Sequence, residues 1–129
     1  MPVPPIIPTF RYRDAPAAID FLVDAFGFER NMVVDGPGET IAHAQLTFAG
    51  GMVMLGSAGA GDGEFPLEPG GGSTYVILDD VDGHCDRARA AGAEIVMEPA
   101  DQDYGGRSYT ARDPDGNLWS FGSYRPSAG

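Results

Sequence analysis

The chain has 129 residues, 43% of them apolar, with 19 Gly and 11 Pro. That composition suits a single turn-rich domain burying roughly two-thirds of its unfolded surface. The formal charge is −11 and all eight cations are Arg, a surface that repels nucleic-acid phosphates and anionic membranes, argues against both as partners and draws cationic small molecules.

No apolar run approaches the ~20 residues of a membrane span. The start, Met1-Pro-Val-Pro-Pro-Ile-Ile-Pro8, lacks the basic and apolar regions of a signal peptide. One cysteine, Cys85, leaves no internal disulfide and fits a reducing compartment, so a cytoplasmic location is expected.

Residues 6–13 read as a first extended run. Asp14 offers an N-cap and Pro16 falls in the first helical turn. Ala18, Phe21, Leu22, Ala25 and Phe26 then recur at helical spacing until Gly27 ends the helix. Phe28–Val34 reads as a strand, followed by a turn at Gly36-Pro-Gly38. Over 40–48 the pattern alternates, with Ala42, Ala44, Leu46 and Phe48 on one face and Ile41, His43, Gln45 and Thr47 on the other. Gly50-Gly51 turns the chain into a strand at Met52–Leu55. A Gly-rich connector, about 57–72, follows as a linker or a flap.

The second half retraces the first. Ser73–Leu78 is a strand, Asp80 an N-cap, Val81–Ala91 a helix with Val81, Cys85 and Ala88 as its apolar stripe, and Ile95–Met97 a strand. A β-hairpin closes the chain, Ser108–Arg112 and Asn117–Tyr124 flanking Asp113-Pro-Asp-Gly116, where Pro presets φ, Gly permits positive φ and Asp113 bonds its own backbone. Asp14 matches Asp80 at an offset of 66, and Gly51 matches Gly116 at 65. The chain thus reads as one domain of two modules, about 3–56 and 73–125, each strand–helix–strand–strand–strand. Units this small bury little apolar surface alone, so a sheet or core shared by both is expected.

Two βαβββ modules, with Tyr12-Arg-Asp-Ala-Pro-Ala-Ala-Ile-Asp-Phe-Leu22, Ala25-Phe-Gly-Phe28 and Asp113-Pro-Asp-Gly-Asn-Leu-Trp-Ser-Phe121, resemble the vicinal oxygen chelate superfamily of glyoxalases, bleomycin resistance proteins and extradiol dioxygenases, in particular its PhnB-like branch. The resemblance implies an α+β fold, a curved, mostly antiparallel sheet around a concave pocket, and a homodimer. Metal-dependent members carry four His, Gln or Glu ligands on the first and last strands of each module. Here those positions fall at Ile7, Leu55 (Met54 if the register slips by one), Ser73 and Ser120. Aliphatic and thioether side chains and neutral hydroxyls are poor ligands for a hard or borderline divalent ion. Neither a metal in that site nor any other cofactor is therefore expected.

Strand parity then sorts candidate pocket residues from core. Thr9, His43, Gln45, Leu55, Ser73, Tyr75, Ser108, Thr110, Leu118 and Ser120 are expected on the pocket side, Trp119 and Phe121 in the core against a helix. Tyr104, beside Gly105-Gly106, is placed to close over the pocket. His43 is the one candidate general base, although no neighbouring carboxylate in sequence orients it. His84, between Asp82 and Asp86, reads as an exposed surface residue. The mixed lining suits an organic ligand held by stacking and hydrogen bonds. A metal-independent binder of a cationic or aromatic antibiotic-like compound is expected ahead of an isomerase, lyase or thiol transferase using His43 or an atypical metal site.

Overall fold

The computed structural model describes residues 3–59 and 67–127, so 60–66 of the expected connector lie outside the described residues. The elements are β1 (Thr9–Tyr12), α1 (Ala15–Phe26), β2 (Glu29–Asp35), β3 (Ile41–Phe48), β4 (Gly51–Ser57), β5 (Ser73–Ile77), α2 (Val81–Ala90), β6 (Glu94–Asp101), β7 (Arg107–Arg112) and β8 (Leu118–Gly122). They fall into two compact units, Met1–Gly70 and Gly71–Gly129, each in βαβββ order.

Local chemistry sets the helix ends. The Asp14 carboxylate accepts from the Ala17 N–H at 3.1 Å, Pro16 lies in the first turn of α1, and Gly27 caps its end. Asp80 does the same for α2 by accepting from the Gly83 N–H at 3.0 Å.

In the first unit the strand order is β1-β4-β3-β2, with β1 parallel to β4 and the other pairings antiparallel. The second unit repeats this as β5-β8-β7-β6. The architecture is α+β with mostly antiparallel sheets, as expected. The strands form two sheets of four, one in each unit. The reason is local: the first strand of each module inserts beside its own last strand.

Each unit packs one sheet face on its helix, α1 against β1 and β4, α2 against β6 and β7. In the first unit Tyr12, Leu22, Phe26, Ala44, Leu46, Val53 and Leu55 are buried. In the second, Val81, Cys85, Ala88, Tyr109, Ala111, Trp119 and Phe121 are. Each large apolar side chain so removed from water contributes roughly 1.5–3 kcal/mol.

Two departures from simple alternation matter for the site. Ile41 is buried and its N–H donates to Ser57 Oγ at 2.8 Å, because a register shift at Val34/Asp35 breaks the pattern that put it beside His43. The first hairpin turns through Ala49-Gly50, one residue earlier than Gly50-Gly51. Eight residues lie between the paired Gln45 and Met54, nine between the paired Thr110 and Ser120.

Candidate functional site

In the first unit the sheet face away from α1 carries Gln45 and Thr47 on β3, cross-paired with Met54 and Met52 on β4. The N-terminal segment supplies Val3, Pro4 and Ile7, and β2 supplies Glu29 and Asn31; together these enclose a cavity of about 900 Å³. Its polar side is organised. Gln45 Nε2 donates to Asn31 Oδ1 at 3.0 Å, and Gln45 Oε1 pairs with His43 Nε2 at 3.0 Å. Both ends of the Gln45 amide are therefore engaged, which fixes its orientation. Glu29 is the one charged side chain in the described lining.

Of the residues expected here, Ile7 and Gln45 line the cavity. His43 lies outside that lining and reaches it only through Gln45. Thr9 is exposed on edge strand β1 and also lies outside. Leu55 is corrected outright: at 3% exposure it packs in the core, and its neighbour Met54 faces the cavity. The one-residue difference between the two hairpins puts Met54, not Leu55, in the place that Ser120 takes in the second unit.

In the second unit the side chains alternate between the two faces of the sheet. Ser73 pairs with Leu118, Tyr75 with Ser120, Thr110 with Ser120 and Ser108 with Gly122, all on the face away from α2. Thr110 Oγ and Ser120 Oγ hydrogen-bond at 2.8 Å. Ser108 is buried against Gly122. Trp119, Phe121, Tyr109 and Ala111 occupy the opposite, helix-facing side. Tyr75 donates its hydroxyl to the Tyr124 carbonyl at 2.8 Å, and partial burial followed by the Tyr104 phenol pushes the Tyr75 phenol above its ordinary value. Tyr124 meets Tyr104 edge to face, ring centroids 5.0 Å apart. Sequence reasoning missed Tyr124, whose position past the last strand carries no periodic signal.

His84 also departs from expectation. It is half-buried, stacks on Phe121 with centroids 4.2 Å apart, and pairs through Nδ1 with the Tyr109 hydroxyl at 2.5 Å. Burial pushes the Tyr109 phenol and the Cys85 thiol up, so both stay protonated at neutral pH.

The positions that the resemblance assigns to metal ligands carry, with Met54 in place of Leu55, Ile7, Met54, Ser73 and Ser120, the last engaged with Thr110. Among the described residues no three His, Cys, Asp or Glu side chains gather into a metal-binding group. This donor set does not fit the family's divalent ion. No helix of the described residues is long and apolar enough to cross a membrane.

Repeated βαβββ units, each with one sheet face packed on its helix, define a class of two-module α+β proteins. Residues 8–121 match the glyoxalase/bleomycin resistance protein/dioxygenase superfamily, and the chain belongs to it. It is similar to TioX from Micromonospora sp. ML1, 36% identical with a TM-score of 0.78, covering 93% of this chain and 98% of that one. An uncharacterized protein of Mycobacterium bovis is 35% identical over 125 residues, 92% of this chain and 82% of that protein. Glyoxalase I from Zea mays shares the fold at 22% identity and a TM-score of 0.72, over 92% of this chain and 44% of that one.

Proposed function

We propose that this protein binds a small organic molecule in the Gln45–Met54 cavity, without a metal in the position used by metal-dependent relatives. The observation that carries this reading is the lining itself. Met52, Met54 and Ile7 offer soft apolar surface opposite an oriented Gln45–Asn31 pair, with Glu29 as the single charge. Thioethers pack well on aromatic rings, and a lone carboxylate in an acidic protein selects for a cation. The ligand class is therefore a cationic compound with an aromatic or aliphatic body, and sequestration of an antibiotic-like molecule is the role that suits it. His43 pairs with an amide rather than a carboxylate, which favours binding over general-base chemistry. The protein acts as a homodimer in the cytoplasm on this reading, its two modules working as one domain.

Thermal-shift and calorimetric screening against a panel of cationic antibiotics tests the proposal. Trp119 is a poor reporter for the cavity, since it lies in the core of the second unit. Stabilisation of the wild type, abolished by Met54→Arg, supports it; no stabilisation across the panel overturns it. Stoichiometric zinc or manganese binding to the wild type would overturn the metal-free part. Loss of turnover in His43→Ala, were turnover found, would replace the binding role by an enzymatic one.

A further inference from the structure

At one end of the first unit β1 and β4 stop together, Tyr12 paired with Ser57. There β3 begins at Ile41, whose N–H reaches Ser57 Oγ at 2.8 Å. These strand ends, the β2–β3 turn and the first turn of α1 enclose a second cavity, of about 690 Å³. It shares no lining residue with the Gln45–Met54 cavity. The lining divides by depth. Asp14, Asp35 and Glu39 stand exposed at the mouth, three carboxylates against the one guanidinium of Arg13. Ile41 and Ser57 lie beneath them, at 5% and 4% exposure. Surface carboxylates alone need no explanation, but the buried hydroxyl does. A serine oxygen accepts twice and donates once. The Ile41 N–H takes one lone pair, and among the described residues no acceptor receives the Ser57 proton. A buried donor calls for an acceptor, and here the open side is the cavity.

From this arrangement we infer a second ligand site: the Ser57 cavity takes a hydroxylated amine, an aminocyclitol or amino sugar, with a ligand oxygen on the Ser57 hydroxyl and an ammonium among Asp14, Asp35 and Glu39. Two arguments name the class. The mouth carries excess negative charge in a chain of −11, which disfavours acidic or phosphorylated sugars and draws an ammonium. The positive end of α1 does not reverse this. The Asp14 carboxylate already takes the Ala17 N–H at 3.1 Å, and Pro16 has no N–H to offer an anion. The buried donor then asks for an oxygen on the same ligand, and the Ile41 side chain beside it gives the carbon face of a ring an apolar surface. The site stands or falls apart from the Gln45–Met54 cavity.

The test titrates three small rings, following heat and backbone amide NMR shifts: 2-deoxystreptamine, which has hydroxyls and charge, myo-inositol, which has hydroxyls alone, and cyclohexylamine, which has charge alone. The proteins are wild type, Ser57→Ala, the double variant Asp35→Asn/Glu39→Gln, and Met54→Arg. Expected is binding of 2-deoxystreptamine that moves the Gly38 and Ile41 amides, equally in wild type and Met54→Arg, with myo-inositol weaker by about tenfold or more. The double variant, altered only at exposed side chains, should keep the fold and lose about fivefold in affinity. Ser57→Ala should lose about tenfold for 2-deoxystreptamine and nothing for cyclohexylamine. The site is overturned if 2-deoxystreptamine leaves those amides unmoved, if myo-inositol binds as tightly, if the double variant binds like wild type, or if a folded Ser57→Ala loses no affinity. Should Ser57→Ala not fold, the double variant and the inositol comparison decide alone. A loss confined to Met54→Arg overturns the site while leaving the Gln45–Met54 reading intact.

Discussion

The indole N–H of Trp119 donates to Asp113 Oδ2 at 3.0 Å, and both side chains are buried, at 0% and 6% exposure. The same carboxylate accepts the Asp115 N–H at 3.1 Å and the Asn117 N–H at 3.0 Å on Oδ1, and the Asn117 amide at 3.0 Å on Oδ2. Four donors replace the water that a buried carboxylate gives up. The residue that begins the turn between β7 and β8 thus also fixes the only tryptophan in the core. Turn and core form one unit, so the hairpin cannot slip by a residue without stranding both groups.

Asp113→Asn tests that unit. An amide has one oxygen where the carboxylate has two, and its NH2 would face donors that have no lone pair to offer. The variant should lose about 3 kcal/mol by urea denaturation, since a buried network is left partly unsatisfied. Trp119 emission should also shift to the red as the indole loses the Asp113 carboxylate. A loss under about 1 kcal/mol would mean that the Asp113 carboxylate is not what holds the turn and the indole together.

This relationship was largely readable in the sequence, because each part of it is local. Pro114 and Gly116 set the turn, and a period of two places Trp119 and Phe121 on the side opposite Ser120. What was not readable depends on pairings between distant strands. The Gly51–Gly116 match points to Leu55 and leaves Met54 as the alternative if the register slips; the second hairpin holds one more residue, and the β1–β4 and β3–β4 ladders give Met54 the open face. His84 looked exposed between two aspartates, since its aromatic wall comes from β7 and β8. Tyr75 and Tyr104 were both singled out, yet the carbonyl and ring that join them belong to Tyr124.

The His84–Tyr109 pair predicts an alkaline phenotype. Burial raises the Tyr109 phenol in the fold above its unfolded value, so the stability from keeping it neutral is complete below the ordinary tyrosine value of about 10. It is lost as pH rises through the folded value. Tyr109→Phe should cost about 1 kcal/mol at neutral pH, because His84 loses its 2.5 Å partner. It should also move alkaline unfolding to higher pH. In an ultraviolet titration the variant should lack one tyrosinate from the late step that accompanies unfolding, with the early reversible step unchanged. Loss from the early step instead would mean that Tyr109 titrates in the folded protein.

Neighbouring residues 54 and 55 separate stability from binding. Leu55 is 3% exposed on the α1 side of β4, and Met54 lines the cavity on the other. Leu55→Ala removes three carbons from the core and should cost about 2–5 kcal/mol. Affinity for any cavity ligand, measured where the variant is fully folded, should stay within about twofold, a change of under half a kcal/mol. Met54→Ala should do the reverse. Its stability should change by less than about 1.5 kcal/mol, because a half-buried thioether on an open face leaves little void. Its affinity should fall severalfold through lost contact with the ligand. If Leu55→Ala weakens binding while Met54→Ala leaves it unchanged, β4 carries the opposite register and the cavity has been assigned to the wrong face of the sheet. A parity reversal of that kind would also turn Gln45 and Thr47 toward α1 and expose Ala44 and Leu46, so the two substitutions together test the strand pairing on which the whole site rests.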